Sequence, residues 1–337
     1  MRNRQVLYSR RPEGRLTEDC FAMAEAAVPE PAPGQVLLRN RFLSIDPYQR
    51  RMMLGVQGYP TELREGGVMV GRGVAEVVAS RDDAWQAGDL ALGDFGWQHY
   101  ALAGAGGLRR LDATVQPASL HLGLLGSSGE TAWYGLVQLG RPQAGETVVV
   151  SAAGGAVGST VGQIARLLGC RVIGIAGGAE KCAEVVQRFG FHACLDHRAP
   201  ELTARLRAAA PAGVDVNFEN VGGAVLDAVL PTLNPGARVA LCGMVAHYNA
   251  TQPLPFGNLM KLLDQCVTLT GFRIGHVAPA LREQARTDLL GWWRDGLLLA
   301  PETVTEGLET APSALIGLLE GGNIGKRVVR LPWGEAA

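Results

Sequence analysis

Thr147-Val148-Val149-Val150-Ser151-Ala152-Ala153-Gly154-Gly155-Ala156-Val157-Gly158-Ser159 is the stretch that decides how this chain is read. Thr147 to Ala152 is a largely apolar run of strand length, and Val157 to Leu168 is of helical length with apolar residues recurring on one face. Between them lies a glycine-rich turn. Set against G-x-G-x-x-G, the match is Ala153-x-Gly155-x-x-Gly158, with alanine in place of the first glycine. Such a turn, between a strand and a helix, lets the backbone approach a pyrophosphate and aims the helix N-terminus at the anion. Gly155, Ala156, Val157 and Gly158 are therefore candidate dinucleotide-binding residues.

Downstream the alternation continues. Arg171 to Ala176 reads as the next strand and Lys181 to Phe189 as the next helix. Further strands are expected at Ala193–Leu195, Val214–Phe218, Arg238–Cys242 and Val267–Phe272, with helical segments such as Glu201–Ala209, Ala224–Leu230 and Leu281–Arg294 between or after them. This pattern predicts a parallel sheet covered on both faces, a Rossmann domain over 123–297. Upstream, Gln35–Leu43, Val68–Ala79 and Asp89–Ala101 read as strands broken by turn residues such as Pro33-Gly34 and Gly88-Asp89, an all-β module over 1–122. The tail from 298, with a helix at Pro312–Leu319 and a strand at Lys326–Leu331, is expected to complete that module.

The second strand discriminates between dinucleotides. NAD sites carry an acid about 20 residues after the glycine turn, to bond the adenosine ribose. Here the strand runs into Gly177-Gly178 without an acid, and Lys181 stands beside Glu180 just beyond. A glycine platform with a nearby cation suits a 2′-phosphate, which points to NADPH. Other loops expected at the same edge are Glu219-Asn220-Val221-Gly222-Gly223 and the segment from Cys242-Gly243 to Tyr248-Asn249.

Composition excludes several classes. The 337 residues carry 31 basic and 32 acidic side chains, a net charge of −1, so no basic face recommends a nucleic-acid partner. No apolar run reaches the ~18–20 residues of a membrane span, and no signal-peptide pattern follows Met1, so a cytoplasmic location is expected. The six cysteines are scattered without Cys-x-x-Cys spacing, which reads as buried thiols rather than a disulfide framework or zinc knuckle.

Taken together, these motifs resemble the zinc-independent branch of the medium-chain dehydrogenase/reductases, and within it the prostaglandin reductase, alkenal double-bond reductase and curcumin reductase group. The markers are Asp46-Pro47-Tyr48, Ala152 to Ser159, Glu180-Lys181, Glu219 to Gly223, Tyr248-Asn249 and Gly322-Asn323-Ile324-Gly325-Lys326. The resemblance implies a GroES-like β-barrel domain completed by the C-terminal tail, a Rossmann domain, an active site in the cleft between them, and a homodimer. It also implies roles. Lys181 would hold the 2′-phosphate, with His197 where relatives often have tyrosine. Gly177 lies on the platform. Asn220 and Asn323 would contact the nicotinamide half, Cys242, Gly243 and Tyr248 would also bind the cofactor, and Tyr248 and Tyr48 would line the substrate pocket. Relatives that use zinc have a cysteine and a Gly-His-Glu motif where this chain has Ser44-Ile45-Asp46 and Gly71-Arg72-Gly73, so no metal is expected. Where the group usually has Gly-Met-Pro-Gly, this chain has Gly126-Ser127-Ser128-Gly129, followed by Glu130.

The expected activity is NADPH-dependent reduction of the C=C bond of an α,β-unsaturated ketone or aldehyde. Hydride adds at the β-carbon, the charge moves to the carbonyl oxygen, and Tyr248 is the candidate donor to that oxygen. Tyr48 is the weaker candidate, and Trp97 and Trp133 either wall the acceptor or pack in the core. A quinone reductase and a non-catalytic, crystallin-like NADPH-binding protein are the competing readings.

Overall fold

The computed structural model describes residues 2–56, 62–253 and 255–332. In chain order the first elements are β1 (Arg2–Tyr8), β2 (Phe21–Ala27), β3 (Gln35–Ile45), α1 (Pro47–Met53), β4 (Arg72–Ser80), β5 (Leu90–Asp94), β6 (Tyr100–Gly104) and β7 (Arg109–Arg110). Then come α2 (Ser127–Trp133), running on as a wider π-helical segment over Tyr134–Gly140, β8 (Thr147–Ser151), α3 (Ala156–Leu167), β9 (Arg171–Ala176) and α4 (Ala179–Phe189). They are followed by β10 (Ala193–Asp196), α5 (Leu202–Ala209), β11 (Val214–Glu219), α6 (Gly223–Val229), β12 (Leu233–Leu241), α7 (Lys261–Asp264), β13 (Thr268–Gly271) and α8 (Pro279–Arg294). The chain ends with β14 (Glu302–Glu306), α9 (Ala311–Leu319) and β15 (Lys326–Arg330). Two compact units result. One runs to Leu122 and resumes over Glu302–Gly322 and from Lys326; the other is Gly123–Pro301 with Asn323–Gly325.

In the first unit β14, β15, β3, β4, β5 and β7 lie side by side in that order, with β6 also on β3, while β1 and β2 form a separate ribbon. The C-terminal strand does return to this module: β15 pairs antiparallel with β3, Val328 opposite Ser44. Two long strands expected from the sequence are shorter. Residues 68–71 precede β4 outside the strand, making an isolated bridge from Val68 to Leu7 and single backbone bonds to Val6, Gly96 and Trp97 instead of a continuous ladder. Asp89–Ala101 divides into β5 and β6 around Gly96, whose φ of +71° turns the chain. Helix α1 also lies within this module. Asp46 caps it in a capping box with Gln49, and Pro47 opens it. Buried Lys326 binds both Ile45 O, at 2.9 Å, and the Asp46 carboxylate, fastening β15 to the start of α1.

The second unit is a doubly wound sheet. Its strands lie in the order β10-β9-β8-β11-β12-β13, all parallel. Counted within the unit this is 3-2-1-4-5-6, and the order reverses between β8 and β11, where ligands of such sheets bind at the carboxyl ends. Every residue of β8 is buried. Val149, Ile173, Val214, Val225 and Val239 share one apolar cluster beneath α5 and α6.

Candidate functional site

The turn after β8 is held by its own backbone. Ala152 takes a left-handed φ of +50°, and its carbonyl accepts from Gly155 N at 2.9 Å. Gly155 is the N-cap of α3, so the open amides of the first helical turn begin at Ala156, Val157 and Gly158. A Cβ on Gly158 would fall 2.3 Å from the Ala152 oxygen, whereas one on Gly155 would meet the same oxygen at 3.3 Å. Gly154, to which the sequence assigns no part, makes room for a neighbour: a Cβ there would sit 2.9 Å from Cγ and Cδ of Lys181. The segment Asn323–Gly325 docks on this turn, with Gly325 N donating to Gly154 O at 2.7 Å and buried Asn323 Nδ2 donating to Gly325 O at 2.7 Å.

At the end of β9, Gly177 and Gly178 form a bare platform faced by basic side chains. A Cβ on Gly177 would lie 3.0 Å from His197 Nε2 and 3.2 and 3.3 Å from Nε and Nη2 of Arg198. Burial, then the Arg198 charge, lowers the Lys181 pKa. Asp196, at the end of β10, spends Oδ1 on the amides of Gly178 and Arg198, both at 2.9 Å, and those bonds hold its carboxyl below the usual range. His197 and Arg198 thus lie against Gly177, and Lys181, packed on Gly154, is within electrostatic reach of both. Arg198 is absent from the sequence reading, because its approach to Gly177 is set by the β9–β10 register, Ala176 opposite Asp196.

The loop after β11 is built on a buried acid. Glu219 Oε1 accepts from Ser151 Oγ at 2.9 Å and from the amides of Val221 and Gly222 at 2.7 Å, and burial pushes its pKa up. Ser151 Oγ in turn accepts from Asn220 N at 2.7 Å, while Asn220 Nδ2 donates to Ser151 O at 2.8 Å. Glu219 O receives the amides of Cys242 and Gly243, which brings the loop after β12 alongside. Burial, with Glu219 nearby, raises the Cys242 thiol to about 12, so it stays protonated. A Cβ on Gly243 would lie 3.2 Å from Asn220 O and 3.7 Å from the Tyr248 hydroxyl. Asn220, Gly243 and Tyr248 therefore share one place.

Tyr48 belongs to the first unit, on α1, half-buried against the core that contains Trp97. Trp97 is fully buried and stacks on Phe21 at 5.7 Å, and buried Trp133 donates to Asp288 at 2.8 Å; both are core residues. The added polarity at Ser127–Glu130 is internal as well. Glu130 is buried between Arg282, whose Nε donates at 2.7 Å, and Arg286. Among the described residues no three His, Cys, Asp or Glu side chains gather as a metal site, and no helix is long and apolar enough to cross a membrane.

Comparison with known proteins agrees with this architecture. Residues 4–111 match the family described as the N-terminal domain of oxidoreductase, and residues 156–290 the one described as zinc-binding dehydrogenase. The chain is 43% identical to the NADPH-dependent curcumin reductase of Escherichia coli over 98% of its length and 97% of that protein's. It is 38% identical to prostaglandin reductase 1 of Rattus norvegicus, covering 94% of this chain and 96% of the other. The crystal structure of CurA in complex with NADPH from Vibrio vulnificus superposes with a TM-score of 0.93 at 42% identity, covering 98% of this chain and 100% of that one. With its β module, its 3-2-1-4-5-6 sheet and these relatives, the chain belongs to the medium-chain dehydrogenase/reductase family, in the group of the curcumin and prostaglandin reductases.

Proposed function

We propose that this protein is an NADPH-dependent reductase that delivers hydride to the β-carbon of an α,β-unsaturated ketone or aldehyde. The observation that supports the cofactor half is the packing of His197 and Arg198 on Gly177, with Lys181 on the neighbouring Gly154 and within electrostatic reach of both. The residues fit the group. Gly155 leaves the backbone open at the α3 N-terminus, and the basic groups His197 and Arg198 beside Gly177, with Lys181 on Gly154, suit a 2′-phosphate. Bound NADPH supplies a hydride from C4 of its nicotinamide.

In this reading Gly155, Ala156, Val157 and Gly158 lend backbone to the pyrophosphate, and Lys181 and His197 hold the 2′-phosphate. Asn220, Cys242, Gly243 and Asn323 orient the nicotinamide half. Glu219 and Ser151 fix Asn220 before any ligand arrives, so its ordering costs nothing on binding. Tyr248 donates to the carbonyl oxygen as negative charge develops there, and Tyr48 shapes the acceptor pocket without moving protons. The named substrates of the relatives, curcumin and prostaglandins, support a conjugated acceptor.

The test is isotopic. Deuterium supplied at C4 of NADPH is expected on the carbon β to the carbonyl of the saturated product, and label on a carbinol carbon would overturn the reading. Tyr248→Phe is expected to lower kcat about 10–100-fold with NADPH affinity changed less than about twofold. Unaltered kcat would remove Tyr248 from the chemistry.

We further propose a homodimer formed at the edge strand β13. Its four residues end the sheet unpaired on one side, and Leu269 is exposed, as are Leu259, Met260 and Leu263 on and beside α7. An apolar open edge of this kind invites pairing. Sedimentation of the full chain should give a dimer that Leu269→Lys converts to monomer; a monomeric wild type rejects the proposal.

A further inference from the structure

The basic cluster at Gly177 mixes permanent and titratable charge. Arg198 is a fixed cation, and Lys181 is an ammonium whose pKa burial and the Arg198 charge lower. His197 is neither. The charged groups that face it are Lys181 from α4, Arg198 beside it, and Asp196 from β10, while the end of β9 offers only glycine backbone. Burial, with Arg198 and Lys181, holds the imidazole below its ordinary value against the opposing pull of Asp196, so it is neutral at neutral pH. A neutral imidazole turns either an N–H or a lone pair toward the platform, and only the protonated ring donates from both nitrogens.

We propose that His197 takes up a proton when the 2′-phosphate of NADPH binds, so that the preference for NADPH over NADH weakens as pH rises, while Arg198 supplies the part of that preference that does not vary. The inference rests on the cofactor reading above. A dianion within reach of Nε2 reverses the local field: the two neighbouring cations that oppose protonation are then outweighed, and the N–H gained makes a charge-assisted bond. NADH lacks the phosphate and leaves the imidazole as it is. The 2′-phosphate titrates itself, but near pH ~6, so at about pH 7.5 it is already a dianion and any proton taken up belongs to the protein.

The experiment is calorimetric titration of the full chain with NADP+ and with NAD+, at about pH 7.5, in two buffers that differ in ionisation heat. Wild type is expected to take up about half a proton or more with NADP+ and none with NAD+. His197→Gln should bind NADP+ with no uptake, and between pH ~7 and ~9 its affinity should fall about tenfold less than that of wild type. Arg198→Ala should weaken NADP+ binding at least about tenfold at every pH while proton uptake persists. NAD+ affinity checks the folding of each variant. Equal proton uptake by wild type and His197→Gln overturns the inference and spares the cofactor assignment. Wild type binding NADP+ no better than NAD+ overturns both.

Discussion

Gly158→Ala is expected to weaken NADPH binding by about 100-fold or more, the largest effect of any single methyl group in the phosphate turn. The added carbon would stand 2.3 Å from the carbonyl oxygen of Ala152 and 2.9 Å from both Ala152 C and Ala153 Cα. All three are backbone atoms, so no rotamer change relieves the clash. Either α3 slides away from β8 or the turn opens, and each displaces the amides of Ala156 and Val157 from the place a pyrophosphate needs them. Relief of that overlap also costs about 1–3 kcal/mol of stability. Gly155→Ala is the instructive control. Its nearest neighbour is the same oxygen at 3.3 Å, so the fold tolerates it and the loss falls on ligand approach. Fluorescence titration with NADPH and a thermal melt separate the two. A Gly158→Ala protein that binds within about threefold of wild type would show that the turn is not where the phosphates lie.

The second large effect lies at Glu130. Its carboxylate is 2% exposed and bonds Arg282 and Arg286, themselves 28% and 19% exposed. Glu130→Gln leaves two guanidinium groups without their shared counter-charge in a half-dry setting. Breaking a buried pair from one side costs about 3–5 kcal/mol. Partial solvation of both arginines, and the second bond from Arg286 to Glu283, bring the expectation below that range, to about 2–3 kcal/mol. Urea unfolding followed by tryptophan fluorescence reads it. Replacing Glu130, Arg282 and Arg286 together by leucine should recover most of the loss, because the desolvation of all three charges disappears with them. A Glu130→Gln midpoint equal to wild type would mean that water already screens the cluster.

The legible part of the fold is the part where one strand carries its own signal. The valines of β8, followed by Gly155 and Gly158 at fixed spacing, announce strand, turn and helix without any knowledge of neighbours. The helix Ser127–Gly140 gives no such announcement. Gly129, Gly135 and Gly140 lower its helical propensity, and their reason is tertiary: a Cβ on Gly129 would strike Leu124 O at 1.8 Å, and one on Gly135 would meet Phe218 and Phe272 at 2.6 Å. Helix α1 is readable in retrospect from Asp46-Pro47 and Gln49, but seven residues carry too little periodicity to stand out. Among site residues, Lys181 is visible because it follows the second strand directly. Arg198 is hidden because only sheet order brings the end of β10 beside the end of β9. Glu219 reads as one acid in a turn motif, and its role as the shared acceptor for Ser151, Val221 and Gly222 exists only once the strands are aligned.

The bond from Gly325 to Gly154 joins amino acids separated by 171 positions, so the turn after β8 is finished by a segment that leaves the ribosome long after the turn itself. All six parallel strands emerge well before it. During synthesis the sheet can therefore assemble while its nucleotide seat still lacks a wall, and a fragment ending before Asn323 would own every strand of the Rossmann layer without the strut that closes its glycine corner. Cofactor capture in this sense waits until synthesis has passed Gly325.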